Sequence, residues 1–132
     1  MDGAGGVRGL AVGDGSGGVV IDVEATASAE WGGDGGGSVH HMAFAGENRA
    51  RRLEVREAVL DTGYQVTPVI DRDYFWAIYF RTPGGVLFEI ATNEPGFDRD
   101  EDTAHLGEVL KLPTRYEPHR AKIEAGLPPI AN

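Results

Sequence analysis

Hydrophobic and polar positions alternate from Ser38 to Phe44, with Val39, His41 and Ala43 on one face and His40, Met42 and Phe44 on the other. That two-residue period predicts a strand. From about residue 47 to Thr62 the spacing becomes helical, and Ala50, Leu53, Glu57 and Leu60 share a face. Gly63 then stands where a helix-ending glycine belongs. Tyr64 to Ile70 is rich in strand formers, but Pro68 marks the run as an edge or a bulge. Phe75–Arg81 and Val86–Thr92 are aromatic and β-branched runs flanking Pro83-Gly84-Gly85, a strong hairpin signal. The predicted order is β-α-β-β-β, an α+β module over residues 38–96. Residues 97–132 predict a helical extension, with one helix around Asp102–Lys111 stopped by Pro113 and a second around Glu117–Ala125 closed by Gly126 and Pro128-Pro129.

Upstream of this module the pattern thins. Of 20 glycines, 13 fall in the first 37 residues, a density that makes ordering costly in backbone entropy. Within this Gly-rich lead-in, Val19–Val23 reads as a strand. The stretch Gly13–Gly18 has the composition of a phosphate-cradling loop, but it runs into that strand rather than a helix, so a plain loop is the better reading. Gly32–Gly37 reads as a linker into the main module.

Charge and composition narrow the chemistry. A formal net charge of −9 repels nucleic acid and anionic membrane, so neither is expected as a partner. No apolar run approaches the roughly 20 residues that span a bilayer. The N-terminus lacks the basic-then-apolar order of a signal peptide, and a cytoplasmic location is the expectation. With no cysteine, only His, Asp and Glu remain as strong metal ligands. Lys111 and Lys122 are the only lysines. An acid-rich, lysine-poor surface suits a halophile, and GC-rich coding bias is the plainer alternative.

The hairpin carries the first chemical clue. A three-residue loop at Pro83-Gly84-Gly85 pairs residues whose numbers sum to 168, placing Tyr79 opposite Glu89. A four-residue loop would place Ile78 there instead. Either way Glu89 is set among Leu87, Phe88, Ile90 and Ala91, where an unpaired carboxylate is expensive. A metal ion, an arginine or a histidine could compensate it. His40-His41 lies on the first strand of the same sheet, and alternation lets only one of the two share a face with Glu89. One His and one Glu make half of a two-His-one-carboxylate site of the kind that suits non-haem Fe(II). By spacing alone, a His-His pair at a strand start is more often structural or exposed.

The wording of three segments adds to this. Gly37-Ser38-Val39-His40-His41-Met42-Ala43-Phe44, then Val69-Ile70-Asp71-Arg72-Asp73-Tyr74-Phe75, then Ile78-Tyr79-Phe80-Arg81-Thr82-Pro83-Gly84-Gly85-Val86-Leu87-Phe88-Glu89-Ile90-Ala91-Thr92 resemble the last module of ring-cleaving dioxygenases that act on hydroquinones. That family lies in the vicinal-oxygen-chelate superfamily, with glyoxalase I and the extradiol dioxygenases. The resemblance continues through Pro95-Gly96-Phe97 and Leu112-Pro113 to Leu127-Pro128-Pro129, and less clearly includes residues 8–24 as the tail of a preceding module. It implies a single vicinal-oxygen-chelate module, with His41 and Glu89 as iron ligands. It also implies that His40, Arg72 and Tyr79 line the surrounding shell and serve proton handling, hydrogen bonding and charge stabilisation. The plainer roles are a salt bridge of Arg72 to Asp71 or Asp73, and sheet packing for Tyr79. Trp76 and Phe80 read as core, and His105 and His119 as solvated. The cofactor implied is Fe(II), with Mn(II) as the alternative; the substrates are an aromatic diol or hydroquinone and O2.

The sequence also departs from that family. The full enzymes carry four such modules, and their third iron ligand, an N-terminal histidine, has no counterpart in residues 1–37. Three expectations follow. A separately encoded N-terminal chain completes a split dioxygenase; or two copies of His41 and Glu89 build a glyoxalase-like lyase or isomerase site by homodimerisation; or the chain is a truncated, inactive remnant that acts as a binding module.

Overall fold

The computed structural model describes residues 7–11, 20–25, 35–46 and 48–128, and the chain divides into two units, Met1–Ser38 and Val39–Asn132. In the first unit, strands β1 (Val7–Ala11) and β2 (Val20–Glu24) pair antiparallel, with Leu10 opposite Ile21. The lead-in thus contains two strands where the sequence predicts one; β1 is short and has Gly9 at its centre, which blurs its alternation. The stretch Gly13–Gly18 lies outside the described residues, as does much of the expected linker.

The second unit is a βαβββ module: β3 (Met42–Gly46), α1 (Arg49–Asp61), β4 (Ile70–Asp71), β5 (Phe75–Arg81) and β6 (Leu87–Pro95). Its four strands lie in the order β3-β6-β5-β4, with β3 parallel to β6 and the other pairs antiparallel. The first strand begins at Met42 rather than Ser38, so His40 and His41 lead into it instead of sitting within it. Of the Tyr64–Ile70 run, only an isolated bridge from Val66 to Phe80 and the two-residue β4 survive as sheet, on either side of Pro68.

Asn48 starts α1, its side chain accepting from the Arg51 amide at 2.9 Å. The helix ends where the Thr62 hydroxyl donates to the Val59 carbonyl and Gly63 turns left-handed. Its inner face differs from the predicted one. Arg52 is buried and Val55, Arg56 and Val59 are half-buried, whereas Leu53 and Leu60 are 42% and 41% exposed. The helix crosses the sheet on the 52-55-59 row, and Arg56 Nε anchors it to the Thr67 carbonyl at 3.1 Å. Hydrophobicity alone selected the wrong row because the true one is half arginine.

The hairpin has the expected register. Thr82 and Val86 close the loop, Gly85 adopts φ +84°, and Tyr79 pairs with Glu89. Phe44, Phe88 and Phe80 form edge-on aromatic contacts on one sheet face, and Ala77 and Ile78 are fully buried. Near Phe75 the β5–β6 ladder slips its register. The buried Thr92 hydroxyl fills that gap, accepting from the Trp76 amide at 3.1 Å and donating to the Glu94 carbonyl at 2.7 Å.

The C-terminal extension is less helical than expected. The region Asp102–Lys111 forms only a single 3-10 turn at Thr103–His105, capped by Asp102, and Gly107 at φ +77° prevents its continuation. The second helix, α2 (Arg120–Gly126), begins after a 3-10 segment at Thr114–His119 that contains Pro118. Asp73 ties the extension to the β4–β5 turn: its carboxylate accepts from the Thr114 amide at 2.7 Å and hydroxyl at 3.1 Å, and its carbonyl accepts from Arg99. Asp73 itself sits at φ +69°, a conformation that Asp tolerates better than most residues. No helix among the described residues is long and apolar enough to cross a membrane.

Candidate metal site

Glu89 is the anomaly of the sheet, a carboxylate on β6 only 3% exposed. Three strands supply its surroundings. The β3–β6 ladder places Ala43 beside it, so the backbone two residues earlier brings in His41, and the β5–β6 ladder places Tyr79 on its other side. His41 Nε2 stands 2.9 Å from Glu89 Oε2, and the Tyr79 hydroxyl donates to Glu89 Oε1 at 2.7 Å. Both carboxylate oxygens are therefore engaged, which offsets much of the burial cost.

Two further residues extend this contact chain. Arg72 Nε donates to the Tyr79 hydroxyl oxygen at 3.3 Å, and its guanidinium lies 5.3 Å from the centre of the Tyr79 ring. At the other end, His40 Nδ1 and His41 Nδ1 are 2.9 Å apart, with the two rings edge to face. The order along the site is Arg72, Tyr79, Glu89, His41, His40. Arg72 makes no ion pair with Asp71 or Asp73: Asp71 accepts from the Asp73 amide, and Asp73 serves Thr114 and Arg99. Burial and the hydrogen bond to Glu89 push the Tyr79 phenol above its ordinary pKa, and Arg72 opposes them.

The donor set can be tested for a metal on one distance. Two ligands about 2.1 Å from one octahedral ion, on adjacent positions, stand about 3 Å apart. The 2.9 Å between His41 Nε2 and Glu89 Oε2 fits that spacing as well as a direct hydrogen bond. Imidazole plus carboxylate is a donor pair that suits a divalent first-row ion. Among the described residues no group of three His, Asp or Glu could hold a metal. His105 and His119 are far from this role in the C-terminal extension; both are exposed, and His105 pairs with Glu108 at 2.8 Å. A cleft of about 390 Å³ lined by Asp71, Asp73, Thr114 and Arg115 opens beside the β4–β5 turn and includes neither His41 nor Glu89.

One supporting residue escaped the sequence. The Thr67 hydroxyl accepts from the Tyr79 amide at 3.0 Å, while its own amide donates to the Tyr79 carbonyl at 2.9 Å. It thereby fixes the strand that aims Tyr79. No local pattern marks a threonine that pairs twelve residues away.

Known proteins resemble this chain over most of its length. The chain is 49% identical over 113 residues to the provisionally named ring-cleaving dioxygenase MhqO of Bacillus subtilis, covering 86% of this chain and 36% of that protein. It is 42% identical over 96 residues to MhqA of the same organism, provisionally named in the same way, covering 73% of this chain and 30% of the relative. A chlorohydroquinone/hydroquinone 1,2-dioxygenase of Sphingobium indicum is 41% identical over 86 residues, 63% of this chain and 26% of its own length. The chain thus spans about a third of the length of the curated relatives it matches. A crystal structure of a provisionally named Bacillus subtilis dioxygenase superposes with a TM-score of 0.82 at 44% identity, covering 96% of this chain and 43% of that one. No family model matches.

Proposed function

From the premise that this chain is a homologue of the ring-cleaving dioxygenases over most of its own length and about a third of theirs, we propose that it is the C-terminal, metal-binding module of an Fe(II)-dependent dioxygenase that opens hydroquinone-like rings with O2. The observation that carries the reading is Glu89, buried and held between His41 Nε2 and the Tyr79 hydroxyl. His41 and Glu89 are the proposed ligands. The chemistry that bound Fe(II) supplies is simultaneous binding of an ionised diol and O2 and electron transfer between them.

The chain's own residues handle protons and charge. When His41 Nε2 is used as a ligand it carries no proton, so the proton sits on Nδ1 and is donated to His40 Nδ1 at 2.9 Å. That leaves the neutral His40 ring protonated on Nε2, able to donate to a diol oxygen or an oxygen intermediate. Tyr79 keeps its phenolic proton on Glu89 and so fixes which carboxylate oxygen is free to bind. Arg72 holds that hydroxyl oxygen from the far side, which keeps its proton directed at Glu89.

Further donors are proposed to come from a second module, supplied by a separate N-terminal chain or by a second copy. Iron content and particle size of protein reconstituted anaerobically with Fe(II) test the assignment. His41→Ala and Glu89→Ala are expected to lose the iron; unchanged iron in both overturns it. One iron per two chains in a dimer supports a shared site, and recovery of hydroquinone-dependent oxygen uptake only on adding the missing modules supports the split enzyme.

A further inference from the structure

The module has a second concentration of unusual charge, on the helix rather than at the metal site. Four of the chain's twelve basic residues fall within Arg49–Arg56, in a protein of net charge −9. Arg49, Arg51 and Arg52 crowd the first turn of α1, which has no acidic residue. A helix N-terminus already carries partial positive charge and favours anions, so three arginines there oppose the helix dipole. Arg51 is compensated by Glu54 at 2.7 Å. No carboxylate among the described residues pairs with Arg49 or Arg52.

Arg52 is the sharper case. It is 1% exposed, and its Nε and Nη1 have no hydrogen-bond partner. A buried guanidinium without a partner is costly, and evolution and folding both tend to remove or pair one. Its stem lies against the end of β3, with Cβ 3.7 Å from where a side chain on Gly46 would begin. Helical side chains lean toward the N-terminus, which carries the head group toward the first turn. Consistent with this, burial and the neighbouring Arg49 charge both lower the Arg52 pKa. Of the first-turn amides, that of Arg51 is taken by the Asn48 side chain and that of Arg52 by the Asn48 carbonyl, while those of Arg49 and Ala50 have no partner among the described residues.

We propose that the N-terminal end of α1 is an oxyanion site in which Arg52, Arg49 and the free first-turn amides receive a phosphate or carboxylate group. An anion there would satisfy the orphaned Arg52 donors, relieve the Arg49–Arg52 repulsion and complement the helix dipole together. The site is on the helix and shares no residue with the His41–Glu89 pair, so it stands independently of the dioxygenase reading.

The test is thermal unfolding of the 132-residue chain titrated with inorganic phosphate, and separately with acetate, against chloride at matched ionic strength. Phosphate or acetate is expected to raise Tm by several degrees at saturation, and the anion that acts at lower concentration identifies the source. Arg49→Gln is expected to weaken the binding roughly tenfold. Arg52→Met is expected to abolish the response while leaving the anion-free protein at least as stable as the parent. Arg115→Gln changes net charge equally at a remote position and is expected to leave the response intact. No anion-specific rise, equal loss in Arg115→Gln, or a marked fall in anion-free Tm for Arg52→Met would overturn the proposal, the last by showing that the guanidinium is already paired within the chain.

Discussion

Tyr79→Phe removes a single oxygen and so isolates what that hydroxyl does for Glu89. The group donates to Glu89 Oε1 at 2.7 Å and accepts from Arg72 Nε at 3.3 Å, next to a carboxylate that is 3% exposed. A hydrogen bond to a charged group contributes about 1.5–3 kcal/mol, and the longer Arg72 contact adds less, so a loss of about 2 kcal/mol is expected in metal-free protein. For a domain this size that lowers the urea midpoint by about 1 M. Glu89→Gln keeps the shape of the side chain but removes its charge, and a neutral hydrogen bond is about half as strong as a charge-assisted one. The double-mutant cycle of Tyr79→Phe with Glu89→Gln should therefore show a coupling of about 1 kcal/mol, above the roughly 0.3–0.5 kcal/mol scatter of additive pairs. Urea unfolding in the presence of a chelator, followed by Trp76 emission in a Trp31→Phe background, measures all four corners. Additive effects, or a Tyr79→Phe loss below about 0.5 kcal/mol, would refute a charged Glu89 held by Tyr79.

Two other outcomes test the frame around the site. Gly85→Ala forces a side chain into the left-handed conformation at φ +84° and should cost about 1–2 kcal/mol, read as a lower urea midpoint; an unchanged midpoint would mean that the loop, and with it the Tyr79–Glu89 register, is different. Tyr74 donates to Asp100 at 3.2 Å, and burial followed by that hydrogen bond raises its phenol above its ordinary value of 10.0. A raised folded-state pKa gives stability that is intact below the ordinary value and is lost as pH rises through the raised one. The parent chain should therefore lose stability more steeply than Tyr74→Phe above about pH 10, as followed by urea midpoints; parallel profiles would show that Tyr74 does not hold the extension.

The parts of this fold that were legible in the sequence are those set by local rules. Alternation and the Pro83-Gly84-Gly85 turn led to the β5–β6 ladder with Tyr79 opposite Glu89, because a three-residue loop leaves little freedom of register. Gly63 led to the end of α1 for the same reason, since few residues take its φ of +83°. What misled was hydrophobicity read without partners. Leu53 and Leu60 look like the inner face of α1, yet Arg52 occupies it, and only the three-dimensional course of the helix across the sheet decides between rows about 100° apart. The Asp102–Lys111 region fails similarly: its composition permits a helix, but Asp102 can cap one turn as well as several, and Gly107 is free to leave it.

The same division runs through the site. Glu89 announces itself, because a carboxylate in an apolar strand must find compensation somewhere. Of its compensators, Tyr79 follows from the hairpin register, whereas His41 reaches it across a parallel ladder and Arg72 acts through the tyrosine hydroxyl, contacts that no local period encodes. Burial also sorts these residues by what they can be asked to do. Glu89 is buried and Tyr79 half-buried in the module, with their geometry fixed by their mutual hydrogen bond, whereas His40 and His41 precede β3 on exposed chain. Pre-organisation on the carboxylate side with an open histidine side is the arrangement expected if a metal held by the proposed pair takes its other partners from beyond the edge of β3, and on that proposal the histidines, rather than Glu89, are the residues whose order should increase most when the site is completed.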